Sequence, residues 1–262
     1  MFRLDYNVGN IGAGFHTVRD GFVENNYWRY YEALYGIFAR LRERFPNVIF
    51  ENCASGGGRS ELGMVRHFSH TWVTDWQIAP RSFWITNGMT MALPPELADR
   101  LLGMGQSCHT RAALDFQTRL VLFVHPTIAW FNLEGSRPNP LQAERISHAL
   151  QLYKEFVRPF HRESRIFHHT PTPESAPGWG VLELAARDGS RVMIGLFRLD
   201  GAGTPEYVLR PRGVDRARRY RVVSDNSGQA AVVDGFALAS QGVHVRLEGA
   251  LTSELFLYEA VG

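Results

Sequence analysis

Two aspartates, Asp5 and Asp75, lie seventy positions apart, each at the end of a segment that reads as a short β-strand. Tyr6, Trp72 and Trp76 are close to them in the sequence. Two carboxyl groups on neighbouring strands could cleave a glycosidic bond, because one can attack the anomeric carbon while the other protonates the leaving oxygen. An aspartate at such a position is also common as a helix cap or in a turn, and the pair alone favours that simpler interpretation.

A glycine-rich segment, Cys53-Ala54-Ser55-Gly56-Gly57-Gly58-Arg59, is more informative than the aspartates. Consecutive glycines after a strand allow backbone N–H groups to approach a ligand and converge on its oxygens. The segment lacks the Lys-Ser/Thr ending of a phosphate-binding P-loop and the glycine spacing of a dinucleotide site. Nucleotide binding is therefore not predicted.

The elements that carry these residues follow from hydrophobic spacing. The predicted helices are 25–44, 59–68, 81–91, 96–102, 113–124 and 140–160, and the predicted strands between them are 48–50, 71–74 and 127–131. Short strands that alternate with helices indicate parallel βα units, either a doubly wound sheet or part of a (β/α)8 barrel. In both architectures the carboxyl ends of the strands carry the chemistry, so Asp5, the glycine segment and Asp75 are expected at one edge.

The composition changes near residue 162, which predicts two domains, 1–162 and 163–262. The second is predicted to be antiparallel β structure with strands at 181–185, 191–197, 219–223, 243–247 and 253–257. Turns at Asp188-Gly189, Asp200-Gly201 and Asn226-Ser227-Gly228 predict hairpins or a sandwich.

Three ordered motifs resemble successive barrel-strand motifs of the family 36 α-galactosidases, or melibiases: Asp5-Tyr6-Asn7, the segment Glu51 to Arg59, and Trp72-Val73-Thr74-Asp75. The resemblance implies that Asp5 is the nucleophile and Asp75 the acid/base. It also implies a sugar-binding site, to which we assign Arg3, Asn7, Cys53, Gly56, Gly57, Trp72 and Arg81. Arg3 and Leu4 stand where the family has Lys-Trp, and Val8 replaces an Arg.

The same resemblance implies the fold and the mechanism. The expected fold is α/β, the C-terminal part of a (β/α)8 barrel from about strand 4, followed by a small antiparallel β-sandwich domain. The implied reaction retains the anomeric configuration through a covalent glycosyl-enzyme, for which the two carboxyl groups would lie about 5–5.5 Å apart. No cofactor and no metal is expected.

Bulk properties restrict the other possibilities. The formal charge is +2, and although 27 of 28 basic residues are Arg, the densest cluster, between Arg210 and Arg221, is interpreted as a solvated, strand-rich face and not as a nucleic-acid site. Two cysteines are too few for a disulfide framework. Since no signal peptide and no run of 18 apolar residues is found, the expectation is a cytoplasmic protein without membrane contact.

Several conspicuous residues are interpreted as structural. These are a possible metal pair, His67 and His70, the pair His168-His169, the pair Cys108-His109, and the aromatic residues Trp84, Trp130 and Phe131.

Three functions remain open at this point. The first is a retaining hydrolase of terminal α-galactosides, or of related α-N-acetylgalactosaminides, acting on an oligosaccharide or glycoconjugate. The resemblance further implies that the chain can form a homo-oligomer. The second is a truncated or non-catalytic carbohydrate-binding fragment of such an enzyme, because the family's N-terminal domain and first three barrel strands are not matched. The third, an isomerase or another barrel enzyme, is weaker, since no phosphate loop or metal set is found in the sequence.

Overall fold

The computed structural model of the protein describes residues 1–7, 16–76, 78–103, 112–129 and 138–262. The chain divides into two compact units, Met1–Trp76 with Leu97–Asp99 and Gln77–Glu96 with Arg100–Gly262. The predicted domain boundary after residue 162 stays a prediction. Predictions about Val8, Cys108, His109, Trp130 and Phe131 fall outside the described residues.

The first unit contains a small parallel sheet. Its elements are β1 (Phe2–Asp5), β2 (His16–Arg19), β3 (Phe22–Asn25), α1 (Asn26–Arg44), β4 (Phe50–Cys53), α2 (Leu62–Val65) and β5 (His70–Trp72). β1 pairs in parallel with β4, and β4 with β5, while β2 and β3 form a separate hairpin. Asp5 is the register partner of Cys53, so the carboxyl ends of β1 and β4 are aligned.

Helix α1 forms where the aromatic and apolar spacing predicts a helix, over almost the same residues. Tyr31, Leu34, Phe38 and Leu41 recur at intervals of three and four, which places them on one face of the helix. That face packs on the core formed by Phe38, Phe50, Met64 and Phe68. Pro46 follows two residues after the helix ends, where proline cannot continue a helix.

The predicted helix at 96–102 is wrong. A 3-10 turn covers Pro95–Leu97, and Ala98–Gly103 is strand β6, whose first two residues pair in parallel with Thr71 and Trp72 of β5. The polar pair Asp99 and Arg100 interrupts the apolar run and imitates helical spacing. Both residues are nonetheless buried in the strand.

Other elements differ in length from their predictions. The predicted helix 59–68 is only α2, and the strand predicted at 48–50 is shifted to β4, because the polar residues Glu51 and Asn52 are buried inside it. The hairpin of β2 and β3 and the later strands β8, β11 and β13 were not predicted from the sequence.

The second unit contains both helices and strands. Its helices are α3 (Arg81–Ala92), α4 (Leu114–Leu120), α5 (Pro140–Leu152), α6 (Arg158–His161) and α7 (Gly235–Ser240). Its strands are β7 (His125–Ala129), β8 (Arg165–His168), β9 (Trp179–Ala185), β10 (Arg191–Arg198), β11 (Glu206–Leu209), β12 (Arg219–Ser224), β13 (Ala230–Asp234), β14 (Val243–Arg246) and β15 (Thr252–Val261). β7 lies beside β6, so the sheet order β1-β4-β5-β6-β7 follows the order of these strands in the chain.

The largest sheet has six antiparallel strands in the order β13-β12-β15-β10-β9-β8, and β11 pairs with β14 separately. Alternate residues of β9 face opposite sides, as strand geometry requires. Val181 packs in a core shared with Leu209 of β11 and Val245 of β14, whereas Leu182 packs in a core shared with Phe83 of α3 and Phe116 of α4. The sheet is therefore buried on both faces at its strands β9 and β10.

Among the described residues, no helix has both the length and the apolar character needed to cross a membrane.

Candidate active site

Asp5 lies at the carboxyl end of β1 and is held by Arg3, two residues earlier on the same strand face. The Arg3 side chain donates to Oδ2 of Asp5 from Nε at 3.3 Å and from a terminal nitrogen at 3.1 Å. The two side chains are one-third to one-half exposed, which leaves the Asp5 carboxylate reachable from solvent. A two-nitrogen contact from a planar guanidinium fixes the orientation of that carboxylate.

Arg3 also contacts the two neighbouring strands. It donates to Oε1 of buried Glu51 at 2.6 Å and to Sγ of Cys53 at 3.2 Å, and its guanidinium lies 4.6 Å from the ring centroid of Trp72. Burial works against the positive charge, but the attraction of Cys53, Glu51 and Asp5 outweighs it and raises the pKa of Arg3. Arg3 is therefore a fixed cation that links β1, β4 and β5.

Asp75 follows β5 and is held by the last residue of that strand. The indole N–H of Trp72 donates to Oδ1 of Asp75 at 2.8 Å, and Asp75 itself is exposed. Trp72 therefore contacts two charged side chains: the guanidinium of Arg3 lies over its ring, and the carboxylate of Asp75 accepts a hydrogen bond from its indole nitrogen. Through this pair the two aspartates belong to one connected group of side chains.

The glycine loop between β4 and α2 packs directly against the backbone that precedes Asp75. Ser55, Gly56 and Gly57 have φ values of +49°, +67° and +102°, a left-handed path that glycine adopts readily. A Cβ on Gly56 would overlap the backbone nitrogen of Asp75, and one on Gly57 would lie 2.7 Å from the carbonyl oxygen of Val73. The glycines are required here because the loop and the β5 end touch through backbone atoms.

Arg59, at the end of the glycine loop, holds the two strand ends together from behind. Its side chain is fully buried and donates to the carbonyl oxygens of Tyr6, at 2.8 Å, and of Cys53, and to the hydroxyl of Tyr30 at 3.1 Å. Arg59 is the last residue of the motif in the sequence, and no role was predicted for it. Its signal was the position of a charged residue directly after three glycines, in the connection between a strand and a helix.

Cys53 is the buried thiol at the end of β4. Burial raises the pKa of the Cys53 thiol to about 11, against the opposing effects of the Gly56 N–H and the Arg3 charge. The thiol is therefore protonated at neutral pH, and it can take part in hydrogen bonds but is unsuited to nucleophilic attack.

A row of buried polar side chains contacts Arg3 through Glu51. Glu51 lies 3.8 Å from Nε2 of His70, which lies 3.3 Å from Oδ2 of Asp99, and all three side chains are at most 5% exposed. No role was predicted for Glu51, although a carboxylate inside a buried strand signals a paired charge. His70, considered there as half of a metal pair with His67, is here a partner of Glu51 and Asp99.

The structure brings together most of the predicted site residues. Arg3, Asp5, Cys53, Gly56, Gly57, Trp72 and Asp75 are joined by the contacts above, and Asn7 is exposed two residues after Asp5. Arg81 is exposed at the first position of α3, in the second unit. The roles assigned to all these residues stay predictions. Trp84 packs against a core cluster, and His169 is buried beside Glu183.

The fold and the site together define an α/β protein with two carboxylates and a glycine loop at the carboxyl edge of a parallel sheet. The Melibiase family model matches residues 3–157, and the chain belongs to that family.

Individual relatives are α-galactosidases. The chain is 26% identical over 230 residues to α-galactosidase 2 of Pediococcus pentosaceus, covering 87% of this chain and 31% of that protein. It is 30% identical over 198 residues to an α-galactosidase of Escherichia coli, covering 72% of this chain and 26% of that protein. This chain thus spans between a quarter and a third of the length of these curated relatives.

A solved structure extends the similarity to the whole fold. A variant of the family 36 α-galactosidase AgaA from Geobacillus stearothermophilus, in complex with 1-deoxygalactonojirimycin, superposes with a TM-score of 0.83 at 20% identity, covering 99% of this chain and 35% of that one. Variants of AgaA have also been solved with raffinose and with stachyose.

Proposed function

We propose that this chain carries the catalytic carboxylates of a retaining α-galactosidase that acts on α-galactoside oligosaccharides such as raffinose and stachyose. The observation that carries the proposal is the connection of Asp5 to Asp75 through Arg3 and Trp72. The complexes of AgaA with these sugars support the substrate class. α-N-Acetylgalactosaminides are the closest alternative substrates.

In the proposed reaction, an Asp5 oxygen attacks the anomeric carbon while the carboxylic acid of Asp75 gives its proton to the leaving glycosidic oxygen. The bond to the aglycone breaks and an ester to Asp5 forms. In the second step Asp75 takes a proton from water, whose oxygen attacks the same carbon and releases Asp5. Two inversions give net retention.

Local contacts support these roles. The guanidinium of Arg3 donates two hydrogen bonds to Oδ2 of Asp5 and holds that oxygen in place. The protonated Cys53 thiol is a donor suited to a sugar hydroxyl, and Gly56, Gly57, Asn7 and Arg81 are proposed as further binding residues. The sheet order supports the assignment of these strands to the last five of a (β/α)8 barrel, with a β-sandwich after residue 162.

The test is hydrolysis of an aryl α-galactoside, followed by NMR to identify the first anomer released. Asp5→Asn is expected to lower kcat by several orders of magnitude because it removes the nucleophile without changing shape. Asp75→Asn is expected to lower the hydrolysis rate of substrates with poor leaving groups more than that of substrates with good leaving groups. Asp20→Asn is the matched control, since Asp20 lies in the hairpin turn with φ +49°, which Asn tolerates well.

Activity that survives Asp5→Asn, or β-galactose as the first product, would contradict the assignment. The assay is run on this chain and on a version extended upstream, because the chain spans less than a third of its α-galactosidase relative from Pediococcus pentosaceus.

A second candidate is a carbohydrate-binding fragment without turnover. It is favoured by the exposure of the Asp5 side chain, 45%, since a nucleophile normally works in a site that excludes water. This function predicts saturable binding of galactose or raffinose to this chain, with no aryl galactoside cleaved by it.

A further inference from the structure

The second unit contains a cavity whose lining is strongly basic. It has a volume of about 540 Å³ and is lined by His169, Tyr207, Arg210, Arg212 and Arg216 together with four apolar residues. No Asp or Glu lines it, in a part of the chain that is described without a gap from residue 138 to 262. These arginines were predicted to lie on a solvated face, and all three are exposed; the fold also gathers them around one space.

In the part of the chain that the structure describes, the three arginines that line the cavity have no carboxylate partner, whereas other arginines nearby form ion pairs. Arg218 pairs with Asp215 at 3.5 Å, and Arg246 pairs with Glu206 at 2.6 Å. Among the described residues, no carboxylate oxygen lies within ion-pair distance of Arg210, Arg212 or Arg216. Three unpaired cations around one cavity repel each other and create a positive potential that favours an anion.

Two of these arginines are held in place by backbone carbonyls. Arg210 donates from Nε to the carbonyl oxygen of Ser240 at 3.1 Å, and Arg212 donates to that of His168 at 3.4 Å. Each guanidinium has five N–H donors, so most of them remain for a ligand. The cations are therefore partly ordered before anything binds.

Glu183, a fully buried carboxylate on β9, fixes the cavity wall. Its oxygens accept hydrogen bonds from the backbone N–H of Arg212 at 2.9 Å and 3.0 Å and from that of Gly213, and one lies 2.7 Å from Nε2 of His169. A buried carboxylate is unfavourable unless such donors surround it. Here it ties the segment that carries Arg212, and the His169 ring, to the central sheet.

We propose that this cavity binds a tetrahedral oxyanion, a phosphate or sulfate group, through the guanidinium groups of Arg210, Arg212 and Arg216. Guanidinium groups pair with such oxyanions through two parallel hydrogen bonds, and three of them match the two negative charges of a phosphate or sulfate. The group could be free or esterified to a sugar. Tyr207, which packs 5.4 Å from the ring of Trp179, offers an aromatic side for the sugar.

The experiment is calorimetric titration of the 262-residue protein with inorganic phosphate, inorganic sulfate, a hexose 6-phosphate and the neutral hexose. We expect saturable binding of the three anions that weakens with added NaCl. The Arg212→Gln/Arg216→Gln variant should weaken it by about tenfold or more, and Arg216→Gln alone by less. The matched control for the single variant is Arg221→Gln, an exposed arginine of β12 outside the lining, which removes one positive charge as Arg216→Gln does.

Binding that does not saturate for any of the anions would overturn the proposal, as would an Arg221→Gln variant that weakens binding as much as Arg216→Gln does. Tighter binding of the hexose phosphate than of inorganic phosphate would identify the ester as the ligand, and equal affinity the free anion. Thermal melts check that each exposed substitution leaves the fold intact. Aryl galactoside hydrolysis, measured in parallel, separates this site from the proposed active site.

Discussion

Arg3 shows how one side chain can organise a site across three strands. Its planar guanidinium reaches Asp5, Glu51 and Cys53 with hydrogen bonds and also lies 4.6 Å from the ring centroid of Trp72. A lysine, which the resemblance places at this position in the family, offers a single ammonium on a flexible stem and cannot make this set of contacts at once. The presence of arginine in place of lysine at position 3 therefore gives this chain a distinct way to orient Asp5.

The buried Cys53 thiol gives a prediction about pH. Because burial raises its pKa from 9.0 to about 11, labelling of Cys53 by iodoacetamide should be slow near neutrality and rise with a midpoint near pH 11. Mass spectrometry of the Cys53 peptide in a Cys108→Ser background measures the rate. A midpoint near the ordinary thiol value would contradict the burial.

The same shift affects stability with a definite sign. The folded state favours the neutral thiol, so its contribution to the free energy of unfolding is complete below pH 9. It declines as the pH rises from 9.0 to about 11, because the unfolded chain loses the proton first. Chemical denaturation of the protein and of Cys53→Ser over this range would show the difference.

Arg59 is predicted to contribute to the stability of the fold and not to the chemical reaction. Arg59→Lys keeps the charge but cannot reach both the Tyr6 and Cys53 carbonyls, which leaves a buried acceptor without a donor. We expect a loss of about 3 kcal/mol in the free energy of unfolding, measured with urea. Arg40→Lys, on the exposed side of α1, is the control and should change it by less than about 0.5 kcal/mol. Equal losses of unfolding free energy for the two variants would contradict this stabilising role of Arg59.

At the scale of elements, the glycine loop and the end of β5 depend on contact between their backbones. Gly56 and Gly228 share a φ of +67°, yet a Cβ on Gly56 would overlap Asp75 whereas one on Gly228 meets nothing within 4 Å. These two glycines therefore separate the cost of the left-handed conformation from the cost of the close approach.

Alanine at Gly56 and alanine at Gly228 are expected to destabilise the protein by different amounts. Gly228→Ala should lose about 1 kcal/mol of unfolding free energy from its backbone conformation alone. Gly56→Ala should lose about 3 kcal/mol or more and also lower kcat, since Asp75 must move. Urea titration and galactoside hydrolysis measure the two effects. Similar losses for both variants would show that the loop can shift away from β5 freely.

At the scale of the molecule, the six-stranded sheet depends on the helices that precede it in the chain. Leu182, Leu184, Phe197 and Leu255 share one core with Phe123 and with helix α4. A fragment beginning at residue 163 would expose this face to water, at about 1.5–3 kcal/mol for each large side chain. The second unit, in contrast, keeps the face covered.

The isolated fragment 163–262 is accordingly expected to bind the dye ANS and to unfold without a sharp transition, whereas a fragment 77–262 should unfold cooperatively. Fluorescence and urea titration of the two fragments provide the measurement. If 163–262 unfolds at the same urea concentration as 77–262 and binds no dye, the predicted domain of that length is independent and the shared core is unimportant.

The sequence by itself determined the features that rest on local rules. The spacing of Tyr31, Leu34 and Phe38 predicts α1 because a helix repeats every 3.6 residues, and the order of the three motifs led to the family. Strand β6 was missed because a buried, paired Asp99 looks like an exposed position in a sequence.

Only the tertiary structure decided which distant residues meet. Arg59 contacts Tyr6, and Glu183 holds Gly213, because segments that are far apart in the chain pack together in space. The side chains of such residues carry no signal of their partner, since hydrogen bonds and ion pairs depend on distance in space. The same reason applies to Asp5 and Asp75, whose connection runs through Arg3 and Trp72.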